Sequence, residues 1–119
     1  MVYTAESAAL ATLEMLVHLN SGLLLSSYVL IPCSFPKRLV LRLDRTRLPA
    51  QWHAHPAVPP LQLLGDAWLK NGLSEVLEVP SVIIASESNY LLNPVHPDFG
   101  SLDVGPAQPF DVDVRLVKS

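Results

Sequence analysis

The chain has 119 residues, of which 50% are hydrophobic and 16% are charged, so it can fold around one modest core. Its formal net charge of −3 argues against the basic surface of a nucleic-acid-binding protein, and we expect no direct contact with nucleic acid. The single cysteine, Cys33, excludes an internal disulfide and a cysteine-based zinc site, and it fits a reducing cytoplasm.

The apolar segment at the N-terminus does not have the pattern of a signal peptide. No basic residues precede it, and Glu6 and Glu14 interrupt it. No uninterrupted apolar stretch in the chain reaches the roughly 18 residues that cross a bilayer. We therefore expect a cytoplasmic protein with no membrane segment.

An apolar helix is predicted from about Ala5 to Leu19, with Thr4 as its N-cap. At 3.6 residues per turn, Glu14 and His18 fall on one polar stripe of this helix. A carboxylate on such an apolar helix requires a partner or a function. Two interpretations stay open: a salt link between Glu14 and His18, or a carboxylate that stabilises positive charge or orients a ribose hydroxyl.

The remaining pattern predicts a second helix and about five short strands. The helix is expected from Leu61 to Lys70. Strands are expected at Leu23 to Pro32, Leu39 to Leu43, Glu75 to Val79, Val82 to Ala85 and Val112 to Val117, with loops at Leu48 to Pro60 and Ser86 to Pro97, and a loop or short helix at Pro97 to Gly105. Because strands and helices do not alternate regularly, the sequence predicts an α+β fold with a compact mixed sheet and two main helices.

Two further polar groups are candidates for chemistry. Ser81 follows Pro80 between predicted strands and is typical of a turn, since the Gly-x-Ser-x-Gly frame of a nucleophile elbow is absent. The segment from Glu87 to Pro97 is dense in Asn and His, and it either contacts a ligand or is a loop held by Asx turns. His53 and His55 have no third ligand at a recognisable spacing, so we expect no metal site.

Several blocks of sequence, in chain order, resemble the RES-domain family. They are Val2–His18, Leu48–Trp52, Gly65–Leu69, Val79–Ser81 and Glu87–Phe99. The resemblance implies a single domain over residues 1–119 with a fold similar to that of ADP-ribosyltransferases. It implies a toxin of a bacterial toxin–antitoxin pair that consumes NAD+ by cleaving the nicotinamide–ribose bond. The implied partner is an Xre-type antitoxin that covers the active site, in a complex that can also contain a homo-oligomer of the toxin.

The resemblance also assigns site residues. The family name records an arginine, a glutamate and a serine, and the last two fall on Glu14 and Ser81. The pocket tyrosine of the family falls on Tyr3, while Glu6 and Asn89 lie in matching blocks and are expected to bind NAD+. Glu14 would stabilise the charge on the ribose, Tyr3 would contact the nicotinamide, and Ser81 would hydrogen-bond the ligand or Glu14.

The family arginine lies upstream of the block that begins at Val2, so we expect the chain to lack the N-terminal part of the domain. The basic run from Lys37 to Arg47 is typical of a solvated strand and loop, with a phosphate site as the less favoured alternative. Neither this run nor Arg115 lies in the matching block. An arginine fork is the usual way to hold dinucleotide phosphates. Two alternatives to NAD+ hydrolysis or phosphorolysis therefore stay open: ADP-ribosyl transfer to a protein, and an inactive module that only binds an antitoxin.

Overall fold

The computed structural model of the chain describes residues 2–18, 28–44, 46, 59–97, 100, 102–110 and 113–116. Two helices lie in these ranges, α1 (Ala8–His18) and α2 (Pro59–Asn71). The strands are β1 (Val2–Ala5), β2 (Tyr28–Leu30), β3 (Cys33–Ser34), β4 (Val40–Arg42), β5 (Val76–Pro80), β6 (Ser88–Leu92), β7 (Asp103–Val104) and β8 (Gln108–Phe110), and short 3-10 turns lie at Lys37–Leu39 and Val114–Leu116.

The main sheet has four strands in the order β1-β6-β5-β4. Strand β6 pairs antiparallel with both β1 and β5, and β4 pairs parallel with β5. Two smaller antiparallel pairs join β2 to β8 and β3 to β7. The mixed sheet and the two helices confirm the predicted α+β class.

Alternation of side chains along the strands gives this sheet two distinct faces. The helix face carries Leu77, Val79, Asn89 and Leu91, and the reverse face carries Val76, Glu78, Tyr90 and Leu92. On the helix face, Leu77 and Leu91 pack with Trp68 of α2 in a buried cluster. On the reverse face, Val76 and Leu92 form a second cluster with Leu39 and Leu102.

Both predicted helices are confirmed, but α1 begins later than predicted. Ala5 belongs to β1, and Ser7 replaces Thr4 as the cap because its Oγ accepts a hydrogen bond from the backbone N–H of Leu10 at 3.1 Å. Helix α2 contains the whole of the predicted segment. It is followed by Gly72, whose positive φ of 61° and bond from its N–H to the Trp68 carbonyl oxygen end the helix.

The prediction around Ser81 was wrong in two places. Val82 to Ala85 is a turn and not a strand, because Ser81 Oγ accepts from the backbone N–H groups of Ile83 and Ile84, which a strand ladder would need. The segment Ser88–Leu92, predicted as loop, is β6, at the middle of the sheet. Pairing on both sides outweighs the weak strand propensity of its polar residues.

The other strand predictions fared unevenly. Strands β2 and β4 lie within their predicted segments, although residues 23–27 of the first segment lie outside the described residues. Strand β5 ends at Pro80, one residue beyond its predicted end. The expected strand at 112–117 contains a 3-10 turn in its described part. Asp113 organises that turn by accepting hydrogen bonds from the backbone and the guanidinium of Arg115. Strand β7 lies inside the segment predicted as a loop or short helix, and β8 follows it. Most of the loop predicted at 48–60 lies outside the described residues, and its last two residues, Pro59 and Pro60, belong to α2 instead.

The described helices include none that is both long enough and apolar enough to cross a membrane.

The expectation of an exposed basic run is met where the structure describes it, since Lys37, Arg38 and Arg42 are all exposed.

The central position of β6 predicts a large cost for truncating its core side chains. Leu91 is 3% exposed, so Leu91→Ala should lower the free energy of unfolding by about 2–5 kcal/mol, measured by urea denaturation. Leu73 is 72% exposed, and Leu73→Ala is the matched control, with an expected change within about 0.5 kcal/mol. Equal effects of the two substitutions would contradict the placement of β6.

Candidate functional site

The carboxylate of Glu14 is held at both of its oxygens by side chains from distant parts of the chain. Ser81 Oγ donates to Glu14 Oε1 at 3.0 Å, and Asn89 Nδ2 donates to Glu14 Oε2 at 2.9 Å. Ser81 and Asn89 are buried, with 0% and 7% of their surfaces exposed, whereas Glu14 is only partly buried. The carboxylate therefore lies at the boundary between the core and solvent in a fixed orientation.

Three elements bring these residues together. Glu14 lies on α1, Ser81 directly follows β5, and Asn89 lies on β6. Strands β5 and β6 are paired so that Pro80 is opposite Ser88 and Val79 is opposite Asn89. The antiparallel pairing thus places the end of one strand and the start of the next beneath α1.

The hydroxyl of Ser81 has its full set of hydrogen bonds. Its oxygen accepts from the backbone N–H groups of Ile83 and Ile84, each at 3.1 Å. Because a hydroxyl has one proton and two acceptor lone pairs, the remaining proton is the one donated to Glu14. The backbone N–H of Ser81 donates to the carbonyl oxygen of Glu87 at 2.8 Å, which closes the turn.

The amide of Asn89 is equally committed. Nδ2 donates to Glu14 Oε2 and also to the carbonyl oxygen of Thr4 at 3.1 Å, which uses both of its protons. Both contacts to Glu14 come from donors, so each oxygen of its carboxylate acts as an acceptor.

Tyr3 is an exposed member of the predicted site residues. It lies on β1 opposite Leu91, and the alternation of side chains puts it on the helix face, the same face as Asn89. Its exposed fraction of 70% leaves the ring open to a ligand.

Glu6 joins the end of β1 to the start of β6. Its backbone N–H donates to the carbonyl oxygen of Ser88 at 3.2 Å, and its carboxylate accepts from the backbone N–H of Ser88. Since Ser88 directly precedes Asn89, Glu6 fixes the strand that supplies one of the two donors to Glu14.

Sequence reasoning missed two contributors, Thr4 and Ser88. The Thr4 hydroxyl donates to the carbonyl oxygen of Tyr90 at 2.8 Å, so Thr4 ties β1 to β6 instead of capping a helix. Ser88 Oγ donates at 2.8 Å to Glu78, which also pairs with Arg42. These contacts join residues on separate strands, and no local sequence motif predicts them.

Other predicted groups are not brought to this site. The structure does not describe the side chain of His18 or any part of His53 and His55. The predicted salt link between Glu14 and His18 is therefore not tested. Within the described ranges, no three His, Cys, Asp or Glu residues are placed to hold a metal ion. Arg42 pairs with Glu78 on the reverse face of the sheet, and Arg115 pairs with Asp113.

Removal of the Ser81 hydroxyl tests this geometry by its effect on stability. Ser81→Ala leaves two backbone N–H groups without their acceptor and Glu14 without one donor, so the free energy of unfolding should fall by at least about 2 kcal/mol. The nearby exposed Ser86 provides the control, because Ser86→Ala should change it by less than about 0.5 kcal/mol. Indistinguishable urea midpoints for the two variants would contradict the hydrogen bonding described for Ser81.

Comparison with known proteins gives a consistent result along the chain. The sequence pattern of the RES domain matches residues 1–113. The chain is 35% identical to the "Prs ADP-ribosylating toxin" of Sphingobium sp. (strain YBL2) over 120 residues, which cover 98% of this chain and 74% of that protein. It is also 35% identical to a "Toxin Res" of Photorhabdus laumondii over 119 residues, covering 99% and 76% of the two chains.

A third relative, a "Toxin Res" of Yersinia enterocolitica, is 34% identical over 117 residues, covering 97% of this chain and 76% of its own length. The matched range includes the positions of Tyr3, Glu14, Ser81 and Asn89. The chain belongs to the RES-domain family.

Proposed function

We propose that this chain is the toxin of a bacterial toxin–antitoxin pair and that it consumes NAD+ by cleaving the bond between nicotinamide and ribose. The observation that carries the proposal is the partly exposed Glu14 carboxylate, oriented by Ser81 and Asn89. Membership of the RES-domain family and the names of the relatives as toxins support it.

The chemistry follows from the charge that develops on the substrate. As nicotinamide leaves, the ribose carbon gains positive character, and a fixed carboxylate nearby stabilises it. The two donors hold the Glu14 side chain in place, so little reorganisation is needed when the charge appears. Water or phosphate then takes the place of nicotinamide on the ribose, giving hydrolysis or phosphorolysis.

The hydrogen bonds suggest different roles for the other site residues. Tyr3, being exposed, would stack against or hydrogen-bond the nicotinamide end of NAD+. Ser81 and Asn89 donate their side-chain protons to Glu14 and, for Asn89, also to the Thr4 carbonyl oxygen, so both would position Glu14. Asn89 would therefore act through Glu14 and not as a direct NAD+ ligand. Glu6 would in turn position β6 through Ser88.

A second candidate activity has support of its own. One relative is named an ADP-ribosylating toxin, so transfer of ADP-ribose to a protein would be the same cleavage with a protein nucleophile as the acceptor. We place the protein in the cytoplasm, with an Xre-type antitoxin as the partner that covers the site around Glu14. The remaining alternative is an inactive module that retains only the antitoxin contact.

Substitution of Glu14 tests the catalytic role. Glu14→Gln removes the negative charge, so release of nicotinamide from NAD+ should fall by about 10²-fold or more while the circular dichroism spectrum stays unchanged. The control is Asp66→Asn, which removes an exposed carboxylate from α2 and should leave the rate unchanged. Equal turnover by Glu14→Gln and the unaltered chain would refute the assigned role.

A paired substitution separates the charge from the hydrogen bond. Asn89→Asp alone places a second carboxylate against Glu14 and removes the donor to the Thr4 carbonyl oxygen, so it should destabilise the chain at pH 7. Combining Asn89→Asp with Glu14→Gln restores a donor–acceptor pair with the charge moved to residue 89.

The double variant should therefore recover part of the free energy of unfolding lost in Asn89→Asp but none of the nicotinamide release. Chemical denaturation and the nicotinamide assay on the same samples give the two readouts. Recovery of both stability and activity would show that the position of the negative charge is unimportant, against the mechanism proposed here.

A further inference from the structure

The reverse face of the sheet carries a cavity that the proposed reaction does not use. Its volume is about 400 Å³, and it is lined by Phe35, Lys37, Val40, Arg42, Glu78 and Tyr90. Glu78 and Tyr90 are paired across β5 and β6, one position along from the pair Val79 and Asn89. Because consecutive strand residues point to opposite faces, the cavity and Glu14 lie on opposite sides of the same two strands.

The cavity combines positive charge with aromatic surface. The lining has two cations, Lys37 and Arg42, and one carboxylate, Glu78, while the Glu6 carboxylate is close enough to act on Tyr90. The rings of Phe35 and Tyr90 meet edge to face, with centroids 5.5 Å apart and planes at 60°. The Tyr90 phenol is neutral at pH 7 and can donate a hydrogen bond, and burial together with the nearby Glu78 raises its pKa further above the ordinary value.

Arg42 is available to a ligand. Its side chain is 74% exposed, and its ion pair with Glu78 Oε2 has an N–O distance of 3.6 Å, longer than a strong charge-assisted hydrogen bond. The same Glu78 oxygen already accepts a shorter bond of 2.8 Å from Ser88 Oγ. The guanidinium has five N–H donors, and its planar fork suits the oxygens of a phosphate.

We propose that the reverse-face cavity binds a nucleoside monophosphate. The phosphate would lie between Lys37 and Arg42, and the base would pack against Phe35 and Tyr90, with Glu78 accepting from a ribose hydroxyl. Pockets for small ligands span about 300–1,000 Å³, and the volume here is near the lower end, which favours a mononucleotide over a dinucleotide. This site would be separate from the one proposed for NAD+.

The test is titration of the intact chain with AMP, with inorganic phosphate and adenosine as separate probes. Calorimetry should show binding of AMP that is about tenfold tighter than that of either fragment, since only AMP uses both the cations and the rings. Amide shifts in the nuclear magnetic resonance spectrum should change most around Lys37 and Arg42. Binding of phosphate as tight as that of AMP would overturn the assignment of the base to the aromatic rings.

Variants that remove one positive charge each test whether the two cations of the cavity bind the phosphate. Arg42→Gln and Lys37→Gln should each weaken AMP binding by about tenfold, whereas Arg38→Gln should leave it within about twofold. Arg38 is an exposed cation in the same 3-10 turn as Lys37 and does not line the cavity. An equal loss of AMP affinity in Arg38→Gln would show that AMP responds to the overall positive charge and not to the cavity, and this result would overturn the proposal.

Two further outcomes would also refute it: no AMP binding at millimolar concentration, or shift changes centred on α1. The second would place AMP at the helix face, beside Glu14. Failure of the NAD+ assay has no bearing on this test, because AMP binding is measured without any reaction.

Discussion

The hydrogen bonds from Ser81 and Asn89 to Glu14 are the constraint around which this structure is organised. They join α1 to the end of β5 and the start of β6, which are separated from Glu14 by 67 and 75 positions in the chain. Both donors are buried polar groups, and such groups destabilise a protein by about 1–3 kcal/mol each when they are left without a partner. The Glu14 carboxylate thus provides an acceptor for both buried donors, and the two donors in turn fix its orientation.

Strand β6 links the two faces of the sheet. Asn89 points to the helix face and holds Glu14, whereas its neighbours Ser88 and Tyr90 point to the reverse face. A shift of one residue in the pairing would exchange these roles, so the register is as important as the residue types. Glu6 and Thr4 secure that register from β1, through their bonds to Ser88 and to the Tyr90 carbonyl oxygen.

Local sequence signals predicted the helices better than the strands. The apolar periodicity of α1 and α2 belongs to each segment alone, and it located both, with an error at the start of α1 where Ser7 competes with Thr4 as the cap. Strand β6 was missed because Ser88 and Asn89 are poor strand formers, and their compensation comes from Glu78, Glu6 and Glu14.

The opposite error at Val82 to Ala85 has a related cause. β-Branched residues there favour a strand, yet the Ser81 hydroxyl binds two of the N–H groups that the strand would use. Glu14 could be singled out by its position on an apolar helix, and the family resemblance implied that Ser81 would hydrogen-bond the ligand or Glu14. The structure shows the bond to Glu14. That Asn89 binds the second oxygen of the carboxylate depends on pairing across the sheet and could be read only from the structure.

The central claim is that the carboxylate oriented in this way serves to break the nicotinamide–ribose bond. The most direct measurement is a time course of NAD+ and free nicotinamide with the purified, unaltered chain, in buffers with and without phosphate. We expect loss of NAD+ matched by release of nicotinamide, with many turnovers per chain. A chain that is folded by circular dichroism yet leaves NAD+ intact in both buffers would contradict it.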